Sequence, residues 1–165
     1  MDSLLIHGLS DVPMIGFLQR VRRAWVEVDG HRVARIETGL LVLVGMERSD
    51  THAIGARLLQ RVLDYRVFPD AQDRMNRSLR DIQGGLLLVP QFTLAADTRK
   101  GNRPGFSPAM PPDEAQPLYG ELLQHARTQH PIVESGVFGA VMQVSLTNDG
   151  PVSFWLQVRN EMAVR

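Results

Sequence analysis

Cysteine does not occur among the 165 residues. That absence excludes disulfides, thiolate nucleophiles and Cys-ligated zinc, and it is compatible with the cytosol, the expected location. Net charge is missing too, because 18 Lys and Arg offset 18 Asp and Glu. A whole-surface electrostatic grip on nucleic acid is therefore not indicated, and any RNA contact has to be local. Long apolar runs are also lacking. The longest, Leu40 to Val44, is far too short to span a bilayer. Residues 1–13 have neither a basic n-region nor a proper apolar h-region, so they read as a loose extension and not as a secretory signal.

Conventional catalytic patterns are equally scarce. The five histidines (His7, His31, His52, His125 and His130) form no HExxH or other metal-spaced pair. His125 and His130 read as solvated surface residues. No G-x-S-x-G elbow is present. Gly84-Gly85 precedes a strand and not a helix, so it is a turn and not a phosphate loop. Asp70, Asp73 and Asp81 lack the spacing and central glycine of a calcium loop and read as an exposed connection. Neither a metal nor a cofactor is expected.

What is present is a set of alternating segments. Ile15 to Val21 reads as a strand. Ala24 to Val28 and Arg32 to Ile36 read as a hairpin around Asp29-Gly30, a pair suited to the positive φ angles of a tight turn. Leu40 to Val44 is apolar at every position, as in a strand buried on both faces. Ser49-Asp50 offers a helix N-cap. Ile54, Leu58, Leu59, Val62 and Leu63 follow at helical spacing. Leu86 to Val89 begins a second buried strand that runs into Gln91 to Leu94. A second helix is expected from near Asp113, with Pro117 in its first turn and a stripe of Leu118, Leu122 and Ala126. Gly136 to Leu146 and Val152 to Val158 close the fold. The expectation is one α+β domain over residues 14–160, with a short tail at 161–165. It has a mainly antiparallel sheet curled into a barrel-like layer and two main helices.

Three places stand out. Asn148-Asp149-Gly150-Pro151 joins two period-two segments and is strong turn chemistry. An X-Pro bond is also where a cis peptide costs least, although only about 5–6% of X-Pro bonds in folded proteins are cis. Gln91-Phe92-Thr93 puts a Gln and a Thr at a strand end before a long loop. Taken alone, Thr93 is equally an ordinary β-branched strand residue. That loop carries Arg99, Lys100 and Arg103, which suit phosphate oxygens or, more blandly, a solvated face.

In one order along the chain come Gln19-Arg20-Val21, Gly39 to Gly45, Gln91 to Thr98, Arg103-Pro104, Phe138 to Val144 and Asn148 to Val152. From about Met14 to Val158 the chain closely resembles the D-aminoacyl-tRNA deacylase family, of the D-tyrosyl-tRNA deacylase type. The resemblance implies a homodimer with active sites at the interface. It implies hydrolysis of the ester joining a D-amino acid, or misplaced glycine, to tRNA. Gln91, Phe92 and Thr93 then become catalytic positions. A cis Gly150-Pro151 from the partner subunit takes the substrate amino group, Met142 lines the pocket and Arg20 orients the motif. A surface Arg20 and a core Met142 remain open as alternatives. Arg99, Lys100 and Arg103 become the tRNA contacts. Two departures are visible. Pro90 stands where the family usually has Ser, and Ser153 where it usually has Thr. A non-catalytic tRNA-binding module, or a hydrolase of small D-amino esters, remains the alternative.

Overall fold

The computed structural model describes residues 14–158. The expected extension at 1–13, the tail at 161–165 and the last two residues of the expected domain lie outside them. The elements in order are β1 (Met14–Val28), β2 (His31–Ile36), β3 (Gly39–Gly45), α1 (His52–Asp64), β4 (Phe68–Pro69), β5 (Met75–Arg77), α2 (Leu79–Ile82), β6 (Gly85–Pro90), a 3-10 turn (Phe92–Ala95), α3 (Pro112–Gln129), β7 (Val133–Ser135) and β8 (Gln143–Val158).

The whole sheet is organised by β1. The expected first strand and first arm of the hairpin are one strand of 15 residues. One edge of it pairs antiparallel with β3 over Ile15–Val21 and then with β2 over Ala24–Val28. Its other edge pairs with β8 along almost its entire length. The sheet is mainly antiparallel, as expected, through β1–β2, β1–β3 and β1–β8, while β3–β6 and β6–β7 are parallel pairs. The chain leaves β3, passes through α1 and α2, and returns in the same direction, which is the geometry a crossover connection imposes. β2 also lies against β6 and β7, so the sheet curls into a nearly closed barrel-like layer.

Two apolar clusters result. The larger holds the helices to the sheet through Leu40, Val42, Leu58, Leu59, Val62, Leu63, Leu86 and Leu122, among others. The smaller fills the inside of the curl with Val21, Ala24, Val26, Ala34, Ile36, Leu41, Leu87 and Val89. β3 and β6 contribute alternate residues to both clusters, which is why their sequences are apolar at nearly every position. All five expected α1 positions are buried. Each such side chain contributes about 1.5–3 kcal/mol by leaving water.

Several local expectations are corrected. The N-cap of α1 is Thr51, whose side chain accepts from the Ile54 N–H, while Asp50 turns inward. α3 starts at Pro112, next to the expected Asp113, but it carries Pro117 beyond its first turn. Its buried stripe is Ala115, Tyr119, Leu122 and Ala126, with Leu118 only partly covered. The connection around Asp70 to Asp81 is exposed over most of its length, as expected, but it contains a short hairpin and a helical turn. Asp70 accepts from the backbone N–H groups of Gln72 and Arg74 and from the Asn76 amide, shaping the β4–β5 hairpin. Ser78 and Asp81 form a reciprocal capping box at α2, a third helix. His130 is buried, with its Nε2 2.6 Å from the Gly84 carbonyl oxygen. Among the described residues no helix is long and apolar enough to cross a membrane.

Candidate active site

β8 is a single strand from Gln143 to Val158, not two strands meeting at a turn. Both halves pair with β1, and the excess residues between them bulge out. Asn148 lies opposite Val21 and Ser153 opposite Gln19. Gly150-Pro151 sits in this bulge, with a cis peptide bond. Side chains fix its base. The Asn148 amide donates to Ser153 Oγ (2.9 Å), and its Oδ1 accepts from the Val152 N–H (2.7 Å). Arg20 projects from β1, and its Nε donates to the Asp149 carbonyl oxygen (2.8 Å). Its Nη1 donates to the Val67 carbonyl oxygen (2.6 Å). Arg20 is thus bound to the backbone on both sides of it, not left as a loose surface cation. Sequence reasoning passed over Asn148 and the hydroxyl of Ser153 as bulge closers. The turn-forming character of Asn was the available signal.

The second motif caps the far end of β6. Gln91 to Leu94 is not a strand continuation, because the backbone folds into a 3-10 turn from Phe92 to Ala95. The Gln91 N–H still donates to the Val44 carbonyl oxygen (2.8 Å), which anchors the turn to β3. As the opening residues of a 3-10 turn, Phe92 and Thr93 have no acceptor within it for their amides. The Gln91 side-chain amide is hydrogen-bonded to Thr93 Oγ1. Pro90 sacrifices nothing in the ladder. N–H groups along β6 alternate between β3 and β7, and its place falls on the β7 side, beyond the last paired residue of that strand.

This turn borders a groove of about 760 Å³. Its walls include Phe92, Phe106, Met110, Phe138 and Met142. Phe92 is 60% exposed and Val141, on the rim, is 84% exposed. Phe92 leans on Phe106 with ring centroids 5.2 Å apart. Met142 also packs against the inner core cluster, and its Sδ accepts from the Val137 N–H at 3.4 Å. Met142 therefore lies between the groove and the core. Phe106 and Met110 were not singled out from sequence. They lie in a Pro- and Gly-rich loop whose apolar residues follow no period.

Tyr119 of α3 supports the groove from below. Its hydroxyl donates to the Leu88 carbonyl oxygen (3.0 Å) and lies 2.6 Å from Ser135 Oγ, tying β6 to β7. Burial pushes its phenol up to about 12. Tyr119→Phe is expected to lower the melting temperature by about 2–4 °C, corresponding to roughly 1 kcal/mol. The loss stays modest because the Gly136 N–H also satisfies the Leu88 oxygen (2.9 Å). Thermal denaturation checks it.

The loop cations divide. Arg99 is forked onto Asp97, with Nε and Nη2 both 2.8 Å from carboxylate oxygens, and this holds the Asp97 carboxyl well below its usual range. Lys100 and Arg103 are exposed on the same loop. Among the described residues no group of three or more His, Asp or Glu side chains could hold a metal ion.

The structure does not bring the two motifs together within one chain. Gly150-Pro151 flanks β1 beside Arg20, level with Leu40 and Leu86 across the sheet. Gln91 lies three strands over and five residues further along, roughly 20 Å away at ordinary strand spacing and rise.

Residues 17–157 match the family model described as D-Tyr-tRNA(Tyr) deacylase. A D-aminoacyl-tRNA deacylase of Alkalilimnicola ehrlichii is 59% identical over 150 residues, covering 91% of this chain and 100% of that protein. One from Stutzerimonas stutzeri is 61% identical over 144 residues, covering 87% and 99%. Among solved structures, the c-Myc DNA Unwinding Element Binding Protein superposes with a TM-score of 0.85 at 36% identity, covering 88% of this chain and 99% of that one. A protein described as a "probable eukaryotic D-amino acid tRNA deacylase" superposes with a TM-score of 0.76 at 18% identity, covering 89% and 100%, a likeness of fold alone.

Proposed function

Since the chain belongs to the D-Tyr-tRNA(Tyr) deacylase family and hydrolyses D-aminoacyl-tRNA, we propose that two copies build each active site between them. The Gly150-Pro151 bulge of one subunit enters the Gln91-Phe92-Thr93 groove of the other. The carrying observation is the separation of the two motifs within one chain, together with the exposed apolar rim of the groove. An isologous pair brings each bulge to the opposite groove twice over by symmetry.

In this arrangement the bulge supplies main-chain carbonyl oxygens to the substrate α-amino group. Backbone held by Arg20 and Asn148 can test handedness without testing side-chain identity. An L side chain points into that backbone and is rejected by steric clash, while a D side chain points away. Glycine has no side chain to reject, so glycyl-tRNA is also admitted. The amides of Phe92 and Thr93 stabilise the oxyanion of the tetrahedral intermediate, as fixed donors do best, and Gln91 positions the terminal ribose. Lys100 and Arg103, with Arg99 if it leaves Asp97, meet tRNA phosphates. The reaction takes place in the cytoplasm, where tRNA is charged.

Thr93 is not the nucleophile in this reading. A hydroxyl needs a base to activate it, and its neighbour here is the Gln91 amide, which does not serve as one. Water attacks the ester carbonyl carbon, assisted by the terminal 2′-hydroxyl of the tRNA, and the 3′-oxygen leaves with a proton. Matched D- and L-aminoacyl-tRNA test the proposal, with hydrolysis expected only of the D form and of glycyl-tRNA. Thr93→Ala is expected to stay within about tenfold of the parent rate, because it removes no essential base or nucleophile. Equal rates on both hands overturn the chiral gate. Full activity on tRNA lacking the terminal 2′-hydroxyl overturns the assisted attack.

A further inference from the structure

Of the residues that line the groove, Arg48 alone carries a charge. It lies between β3 and α1 and is exposed. Two bonds to the long loop before α3 hold it in place. Its N–H donates to the Pro108 carbonyl oxygen (3.2 Å), and its Nε donates to the Ser107 carbonyl oxygen (2.5 Å). Among the described residues no carboxylate pairs with its guanidinium, so Nη1 and Nη2 keep their donors for a ligand. Arg48 is also the one residue that the groove shares with a second cleft, of about 570 Å³. That cleft is bordered by the side chains of Thr98 and Ser107 and by the Asp97–Arg99 pair. Its acids oppose an anion little, because Arg99 forks Asp97 and burial pushes the Glu47 carboxyl up.

The end of the substrate divides in the same way. This step rests on the reading above, in which the groove takes the aminoacyl ester and the terminal nucleoside. Base, ribose and amino-acid side chain suit walls made of Phe92, Phe106, Met110 and Phe138. The one anion of the terminal nucleotide is the phosphodiester on its 5′-oxygen. An anion held against apolar walls is costly unless a cation meets it, and the groove offers a single cation. We propose that Arg48 binds this phosphodiester, with Nη1 and Nη2 donating to its two non-bridging oxygens, and that the RNA strand passes there from the groove into the second cleft. Such a fork is a strong, geometrically selective contact with phosphate. It fixes where the strand turns, and so where the ester lies relative to Phe92 and Thr93. The strand then runs toward Arg99 on the far wall of the cleft.

The test uses two unreactive probes, the 3′-amide of D-tyrosine with 3′-amino-3′-deoxyadenosine, with and without a 5′-phosphate. Calorimetric titration of the 165-residue chain gives the ratio of their Kd values. The parent is expected to favour the phosphorylated probe by about tenfold or more, as a charge-assisted contact does. Arg48→Ala is expected to bring the ratio below about twofold. Arg48→Lys keeps the charge without the fork and is expected to fall between. With whole D-aminoacyl-tRNA, Arg48→Ala is expected to flatten the dependence of log KM on log salt by about 0.7, the share of one single-strand phosphate. Equal binding of the two probes by the parent overturns the proposal. So does a ratio that survives Arg48→Ala, because a merely structural arginine weakens both probes alike, or an unchanged salt slope. The L-tyrosyl forms of the same probes read the chiral gate separately. Equal binding of both hands strikes the gate and leaves the phosphate ratio standing.

Discussion

Gly150→Ala is expected to lower kcat/KM on D-aminoacyl-tRNA by about a hundredfold, the scale of loss that follows misplacement of a positioning group by about 1 Å. Gly150 has φ +145°, a region that side-chain-bearing L residues rarely enter. An added Cβ would lie 2.6 Å from Val152 Cγ2 and 3.0 Å from the Val152 nitrogen. It would also approach Arg20 Nη2 at 3.3 Å, so relief pushes on the guanidinium that holds Asp149. Backbone strain of this kind costs about 1–3 kcal/mol, which shifts the melting temperature of a chain this size by roughly 2–12 °C. Hydrolysis should fall much further than folding. Steady-state kinetics beside thermal denaturation separates the two. A variant as active as the parent would show that the bulge backbone does not meet substrate.

The largest effect on stability is expected at Gly39. It stands in register with Gly85 where β3 and β6 begin their parallel ladder. A Cβ at Gly39 would overlap the Gly85 carbonyl oxygen and come 2.7 Å from the Gly85 carbonyl carbon and nitrogen. The obstacle is backbone, so no side-chain rotation relieves it, and the strands have to part. Gly39→Ala is expected to cost about 3 kcal/mol or more, at the upper end of overpacking. That corresponds to a drop in melting temperature of about 6–12 °C. Gly136→Ala is the internal control. Its Cβ would meet mainly Met142 Sδ, the end of a flexible side chain, so its effect should be several-fold smaller.

The parts of the fold that were legible in sequence are those with a local period. Ile54, Leu58, Leu59, Val62 and Leu63 gave α1 its buried face because one helix face is one list of positions. The second half of β8 alternates as expected, with Val152, Phe154, Leu156 and Val158 covered and Ser153 and Gln157 exposed, whereas Val144 in the first half is exposed. What misled was the join. Asn148-Asp149-Gly150-Pro151 does reverse locally, yet the halves it separates pair with β1, more than a hundred residues away, and not with each other. No local pattern carries a partner's identity. The same limit explains His130, whose acceptor is the Gly84 carbonyl, 46 positions away. Ser49-Asp50 read as the cap of α1, but Thr51 follows as a third polar residue. Burial of Asp50 against the Glu47 N–H left Thr51 to serve. Gln91 to Leu94 looked extended because residue types there fit a strand, whereas the turn is imposed by the docking of Leu94 against Gly45. The groove was half legible. Motifs announced Gln91, Phe92, Thr93 and Met142, but Phe106 and Met110 come from an aperiodic loop.

The pairing of β1 with β8 sets the order in which the molecule can assemble. Met14 lies opposite Val158, so the first described strand to leave the ribosome waits for the last. During most of synthesis one entire edge of β1 has no neighbour, and an open strand edge is a template for pairing with another chain. Closing it spans nearly the whole polypeptide, a contact order that slows folding. A nascent chain stalled before Gln143 keeps that edge open however well its helices have formed.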